Sequence, residues 1–424
     1  MKKNLHTFIM GSLTLFAIYL YTISASAIPP KFQIKESLSL KPDSEENLAL
    51  NYLNRLRIGA GLVPFSLNQQ LRQAAKNHAY YLIEHHTYGH IEDENLSGYT
   101  GLYASSRILY TGYPIKLVIE NVSNNNRRAK ESLDGLMAAI YHRFAFLSFK
   151  ADEIGIGINQ NQQHKEETAF VYTISAKSLR KLCTDTNVSK KYSSYSDICI
   201  NKKNKISTTR FNKALYHNNK KNQPFISYPF NEQYDVPPAF FNELPDPLPD
   251  YDVSGFPISL SFNPSLFSDV KLLTFELFDH QGKKITSVRK HDYKSDPNQR
   301  LQKTEFVLFP LKRLEWDSSY SVKVTAIVHG KKFEKKWSFH TRSFKEPFYK
   351  VSKEHPPYNL RKGEATVFYF PPHTATELLH DLSYTKEYDI EFIDPNTITI
   401  TALEANGCCT LTLGKHHLKL NIHN

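Results

Sequence analysis

The chain has 424 residues, 40% of them hydrophobic and 13% aromatic, with a formal net charge of +11. That apolar content excludes wholesale disorder, and the length implies two or three domains rather than one core. Most of the positive excess sits in one stretch, because residues 180–224 carry eleven Lys and Arg against only Asp185 and Asp197.

The N-terminus has the three parts of a secretory signal. Lys2 and Lys3 form a basic start, an apolar run follows from Phe8 to about Ile23, and Ala25-Ser26-Ala27 supplies a small-residue cleavage pattern. Pro29 and Pro30 would end any helix, which puts the mature start at Ile28 and gives residues 1–27 as the signal peptide. The alternative is an uncleaved anchor, but the run is short for a span and polar Thr and Ser crowd its end. No later stretch is long and apolar enough to cross a bilayer as a helix. The expectation is a secreted or periplasmic protein.

From Ser44 to about Tyr110 the pattern is helical. Leu48, Tyr52, Leu53 and Leu56 recur at helical spacing until Gly59 and Gly61 close that helix. A second helix is expected from Asn68 to His85, a short third over Gly101–Tyr110 and a fourth over Lys130–Ala139. Ile154–Ile158 and Ala169–Ile174 then read as paired strands, giving an α+β domain over residues 40–178.

Residues 179–224 read as a basic linker. Such a segment could dock on an anionic surface, or it could be a merely solvated connector. It lacks the aromatic-basic alternation of a nucleic-acid module, so no nucleic-acid partner is expected. Cys183 and Cys199 could close a loop within it, as suits an oxidising compartment, whereas a bridge between adjacent Cys408 and Cys409 would be strained.

Beyond the linker the period becomes two. Ile258, Leu260 and Phe262 alternate, as do Tyr320, Val322, Val324 and Ala326, with turns at Gln281-Gly282 and Gly330. This predicts an immunoglobulin-like or fibronectin-like β-sandwich over 225–345, entered through a proline-rich lead-in from Pro237 to Asp250. Trp316 and Trp337 are expected in its core. Residues 346–424 are again β-patterned, either a small domain of their own or an extension of the sandwich.

The first domain contains His78, His85, His86, His90, Glu92, Glu120, Asn121, His142 and Arg143 in otherwise apolar surroundings. Imidazoles with carboxylates suit acid–base chemistry or a divalent metal. Gly89 argues that the helix ends before His90, so His86 and His90 are not a helical metal pair. There is no HExxH pattern and no GxSxG elbow.

Several segments, in order, resemble the CAP superfamily (cysteine-rich secretory proteins, antigen 5, pathogenesis-related 1; SCP-like) in its bacterial extracellular type. They are Asn51–Arg57 with Gly61–Phe65, Leu71–Tyr81, His90-Ile91-Glu92, Arg107 with Gly112-Tyr113, Glu120-Asn121-Val122, Leu136–Arg143 and Glu153–Gly157. The resemblance implies an α-β-α sandwich with an open cleft in which two His and two acidic residues face each other. Matched position by position, His90, Glu120 and His142 take three of these places, and the remaining acidic place falls on Ala139. Glu92 or Asp134 would then have to reach in instead.

Three functional expectations follow. In the first, His90, Glu92, Glu120, Asn121 and His142 line a cleft that binds a lipid, glycan or peptide, with His90, Glu120 and His142 able to hold Zn²⁺. In the second the protein is a metal-assisted hydrolase of peptides or glycans, with Glu120 as general base or His142 as general acid and a metal-bound water as nucleophile. In the third these side chains form a hydrogen-bonded network that only organises the fold. No separate nucleophile is evident, which favours binding over hydrolysis.

Overall fold

The computed structural model describes residues 39–184, 194–352 and most of 357–424, apart from positions 380–381, 383, 385, 406 and 414–415. The expected signal peptide lies outside the described residues.

Helix α1 (Pro42–Ala60) has proline in its first turn and ends at Gly61, whose φ of 90° turns its amide back onto the last carbonyls. Its buried face runs through Ala49, Leu53, Leu56 and Ala60, so Leu48, expected in the stripe, faces solvent instead. Gly59, expected to close the helix, remains helical. Its missing Cβ makes room for the Phe230 ring, whose Cζ stands 2.5 Å from where a Cβ would be. Helix α2 (Gln69–Glu84) is capped by Asn68, which accepts from the Gln70 and Leu71 amides. Helix α3 (Ala104–Tyr110) follows, and then α4 (Ala129–Ala138) and α5 (Ile140–Phe146), which meet at Ala139, an extended residue with ψ 109°.

Four strands, β1 (Ser66–Leu67), β2 (Ile119–Asn124), β3 (Glu153–Gln160) and β4 (Thr168–Ser175), pair in the order β1-β3-β4-β2. Alternation on β3 gives its two faces different partners. Ile154, Ile156 and Ile158 join Leu53, Leu56 and Leu133 in the core under α1 and α4. On the other face Gly155 and Gly157 let α2 lie directly on the strand. A Cβ at Gly155 would stand 2.0 Å from the Leu71 carbonyl carbon, and one at Gly157 2.2 Å from that of Ala75. The result is the expected helix–sheet–helix sandwich.

The basic stretch is not an extended linker. It forms α6 (Lys177–Thr184), β5 (Ser194–Tyr195), β6 (Ile206–Ser207) and α7 (Thr208–Asn219), clipped by a Cys183–Cys199 disulfide with Cα atoms 5.5 Å apart. Cys199, Ile206 and Phe211 pack into one apolar cluster with Leu71, Ile108 and Tyr113 of the first domain. Burying those side chains outweighs the solvation of a charged strand, so the segment folds back. Arg180 and Lys221 are engaged there too, on Glu153 at 3.0 Å and Asp152 at 3.3 Å. Lys190 and Lys191 lie outside the described residues.

The second domain contains β7 (Phe225–Tyr228), β8 (Gln233–Val236), β9 (Ala239–Phe241), β10 (Val253–Gly255), β11 (Ile258–Phe262), β12 (Val270–Phe278), β13 (Val288–His291), β14 (Glu305–Pro310), β15 (Ser319–Val328) and β16 (Lys331–Thr341). Two sheets, β13-β14-β11-β7 and β12-β15-β16-β8, face each other. Phe333 of one meets Phe225 and Phe262 of the other at ring centroid distances of 4.9 and 5.1 Å. Trp316 and Trp337 are both buried.

The tail has its own apolar core, from Tyr358 and Phe368 to Leu420 and Ile422. That cluster is separate from the one inside the sandwich. The tail's sheets are β17 (Phe348–Lys350), β19 (Ala365–Tyr369), β21 (Thr397–Ala402) and β20 (Tyr388–Asp394), and β18 (Tyr358–Arg361), β23 (His416–His423) and β22 (Gly407–Leu413). Arg313 grips Asp394 through two bonds of 2.9 and 2.6 Å, and Arg127 donates to the Phe392 carbonyl at 2.9 Å, so the tail touches both other domains. Between the first two domains, Arg143 donates to the Pro257 carbonyl at 2.7 Å and Arg342 pairs with Asp134 at 2.6 Å. One continuous apolar cluster runs from Phe146 and Tyr172 to Ile258 and Phe262.

Candidate functional site

The expected site residues fall into two adjoining groups. The first is organised by Arg107 of α3, which is completely buried. Its Nη2 donates to Glu120 Oε1 at 2.6 Å, and its Nη1 donates to the carbonyls of His90 at 3.0 Å and Gly101 at 3.2 Å. Glu120, on β2, also lies 3.0 Å from His90 Nδ1. Burial alone would raise the Glu120 carboxyl, but the charges of Arg107, His78 and His90 hold it well below the usual carboxylate range.

Glu92 is fully buried and shares His78 and Arg107 with Glu120. One oxygen meets His78 Nδ1 at 2.9 Å and the other accepts from the Thr100 and Gly101 amides at 2.7 and 3.2 Å. It anchors the loop leading to α3 and does not take the missing acidic place. Asp134 does not take it either, being bound to Tyr52, Lys130 and Arg342. His85 and His86 are occupied elsewhere, with the Ser97 carbonyl and Glu167.

The second group centres on His142 of α5. Its Nδ1 stands 2.9 Å from Asn121 Oδ1, and Asn121 Nδ2 donates back to the His142 carbonyl at 3.0 Å. This reciprocal pair fixes the ring and assigns the proton to Nδ1, leaving Nε2 as an acceptor. Burial, helped by the charges of His90 and Arg300, pushes the imidazole down to about 3, so it is neutral at ordinary pH.

His142 Nε2 faces a carboxyl that sequence reasoning missed. Glu243 comes from the proline-rich lead-in just after β9, and its Oε2 lies 3.8 Å from the imidazole. The side chain is buried, and neither oxygen makes a well-formed hydrogen bond, although the Ile140 amide at the start of α5 bears on it. Burial, reinforced by Asp246, raises this carboxyl well above its ordinary value, against the pull of Arg143 and Arg300. Glu243 thus reaches the neighbourhood of Ala139 from about a hundred positions further along the chain. No periodicity or motif around it signals that placement.

This geometry corrects the open cleft. Glu92, Glu120, Asn121 and His142 are all buried and His90 is nearly so, and Glu243 of the second domain's lead-in lies against His142. Among the described residues no group of three or more His, Cys, Asp or Glu side chains is placed to hold a metal ion. The proposed set of His90, Glu120 and His142 does not fit zinc, since the Glu120 oxygen that meets His90 is also bound by Arg107. The same contacts bear on acid–base roles. A carboxylate held by an arginine is a weak base, and a histidine with so low a pKa has no proton to give.

Residues 50–176 match the model of the cysteine-rich secretory protein (CAP) family, and this part of the chain is a CAP domain. Among solved structures, an outer surface protein of Borrelia burgdorferi is 17% identical, with 33% of this chain and 98% of that one covered and a TM-score of 0.29. An extracellular protein of Bacillus anthracis containing an SCP domain is also 17% identical, covering 33% and 45%, with a TM-score of 0.28. A cysteine-rich secretory protein of Staphylococcus aureus is 16% identical, covering 33% and 41%, with a TM-score of 0.26. The chain therefore spans less than half the length of the last two. The comparison with curated proteins gave no significant match.

Proposed function

We propose that this is an exported binding protein, acting outside the cytoplasm on a lipid, glycan or peptide, and not a hydrolase. The observation that carries the reading is the state of the polar cluster. Glu120 is a buried carboxylate held by Arg107, which makes it a weak base, and His142 is a buried neutral imidazole with no proton to give. His90 Nε2, by contrast, is buried without a hydrogen-bond partner, and neither Glu243 oxygen makes a well-formed hydrogen bond. Buried polar atoms without partners are costly, and a ligand's hydroxyl or amide would relieve them. The disulfide fits an oxidising compartment, and the similar bacterial structures are described as outer-surface, extracellular or secretory proteins.

The test is a paired screen of the full mature chain. Binding to arrays of lipids, glycans and peptides is expected to be weakened by His90→Ala/His142→Ala. Casein, peptidoglycan and ester substrates are expected to stay intact. Turnover of any of these that is lost in Glu120→Gln would overturn the proposal, and saturable zinc uptake lost in the double histidine variant would reinstate the metal site.

A further inference from the structure

The outer face of the sandwich sheet built from β12, β15 and β16 carries far more positive than negative charge. Alternation along β15 sends Tyr320, Val322, Val324 and Ala326 into the core and leaves Ser321, Lys323, Thr325 and Ile327 outside. Register then fixes their neighbours across the sheet. Lys323 stands directly between Glu276 of β12 and Lys336 of β16, and two rows along Ile327 stands between Lys271 and Lys332. The acidic residues of these three strands are Glu276 and Glu334. Each is already taken by a lysine, Glu276 by Lys284 at 2.6 Å and Glu334 by Lys332 at 2.7 Å.

Lys323 bears on both glutamates and Lys336 on Glu334, and with Lys284 and Lys332 they hold the two carboxyls below the usual carboxylate range. Two carboxylates shared among Lys271, Lys284, Lys323, Lys332 and Lys336 still leave an excess of positive charge. Among the described residues Lys271, Lys323 and Lys336 form no salt bridge. Like charges directly opposite on neighbouring strands, as at Lys323 and Lys336, have Cβ atoms about 5 Å apart and repel, and an anion above them relieves that cost.

The face also presents apolar groups among its lysines. Leu273 is the extra residue of the β12 bulge and is 50% exposed, and Ile327 is half-buried between Lys271 and Lys332. The lysines spread over three strands about 4.8 Å apart, so the charge covers an area. A linear polyanion follows one line, whereas a lipid surface offers phosphates across a plane and an apolar boundary beneath them.

We propose that this face docks on an anionic phospholipid bilayer, with Lys271, Lys323, Lys332 and Lys336 at the phosphates and Leu273 and Ile327 at the headgroup boundary. The surface belongs to the second domain and does not depend on the binding role assigned to the His90–His142 cluster.

The test is co-sedimentation of the full mature chain with vesicles of phosphatidylcholine alone or mixed with an equal part of phosphatidylglycerol. Binding is expected to the mixed vesicles only, and to be lost in roughly 0.5 M salt, where screening shortens the reach of each charge. Lys323→Gln/Lys336→Gln is expected to weaken it about thirtyfold, at about fivefold per lysine near an anionic surface. That variant is expected to keep or raise its Tm, since it removes a repelling pair, and Lys323→Arg/Lys336→Arg is expected to bind as the parent does. Lys202→Gln/Lys203→Gln removes the same charge from exposed positions of the disulfide-clipped segment and is expected to bind normally. Equal binding to both vesicle types, or a folded glutamine variant of the sheet that binds as well as the parent, would overturn the proposal. Loss of binding in the Lys202/Lys203 variant alone would place the surface on the clipped segment instead. Heparin binding without vesicle binding would overturn the lipid assignment.

Discussion

Replacing Glu243 by glutamine tests the buried carboxyl most directly. In the unfolded chain an ordinary Glu releases its proton near pH 4.3. In the folded chain burial and Asp246 keep it protonated to well above that, while His142 Nε2, Arg143 and Arg300 are the other groups facing it. The folded state therefore holds a proton that the unfolded state has lost. The sign follows: stability is full below the unfolded pKa and falls as pH rises towards the folded one. Each pH unit in that window costs about 1.4 kcal/mol for one proton. Glutamine has nearly the same volume and does not titrate, so Glu243→Gln removes this cost. Urea unfolding of both chains at pH 5, 6 and 7, followed by the fluorescence of Trp316 and Trp337, reads the difference. Other titrating groups cancel in that difference, which should widen in favour of the variant by about 1.4 kcal/mol per pH unit. Parallel stability curves across this range would refute the reasoning, because they would mean that Glu243 is already ionised in the fold.

Two further outcomes rest on packing and covalent structure. Gly155→Ala puts a methyl group 2.0 Å from the Leu71 backbone and should abolish soluble expression, whereas Gly135→Ala, inside α4 with nothing within 4 Å of the new methyl, should raise stability by up to about 1 kcal/mol, read as a shift in Tm. Cys183→Ser with Cys199→Ser opens a loop with a sequence separation of 16 and should cost about 3 kcal/mol, with proteolysis appearing first between α6 and α7.

The sequence by itself determined the elements and their class. Apolar spacing gave α1 and α2, Asn68 and Gly61 marked helix ends, and strict alternation marked β11 and β15. These signals are local, set by one residue and its neighbours within a few positions, so they can be read without knowing the partners. The ordered motifs likewise placed His90, Glu120, Asn121 and His142 in one domain. Only the tertiary structure decided what those side chains face. Arg107 neutralises Glu120, Glu243 arrives from another domain to cover His142, and a charged connector becomes a packed, disulfide-closed unit against the first domain. Each depends on contacts between distant parts of the chain, where the gain from burying apolar area against a particular neighbour overrides local charge and polarity. A pattern confined to a dozen residues carries no record of that neighbour.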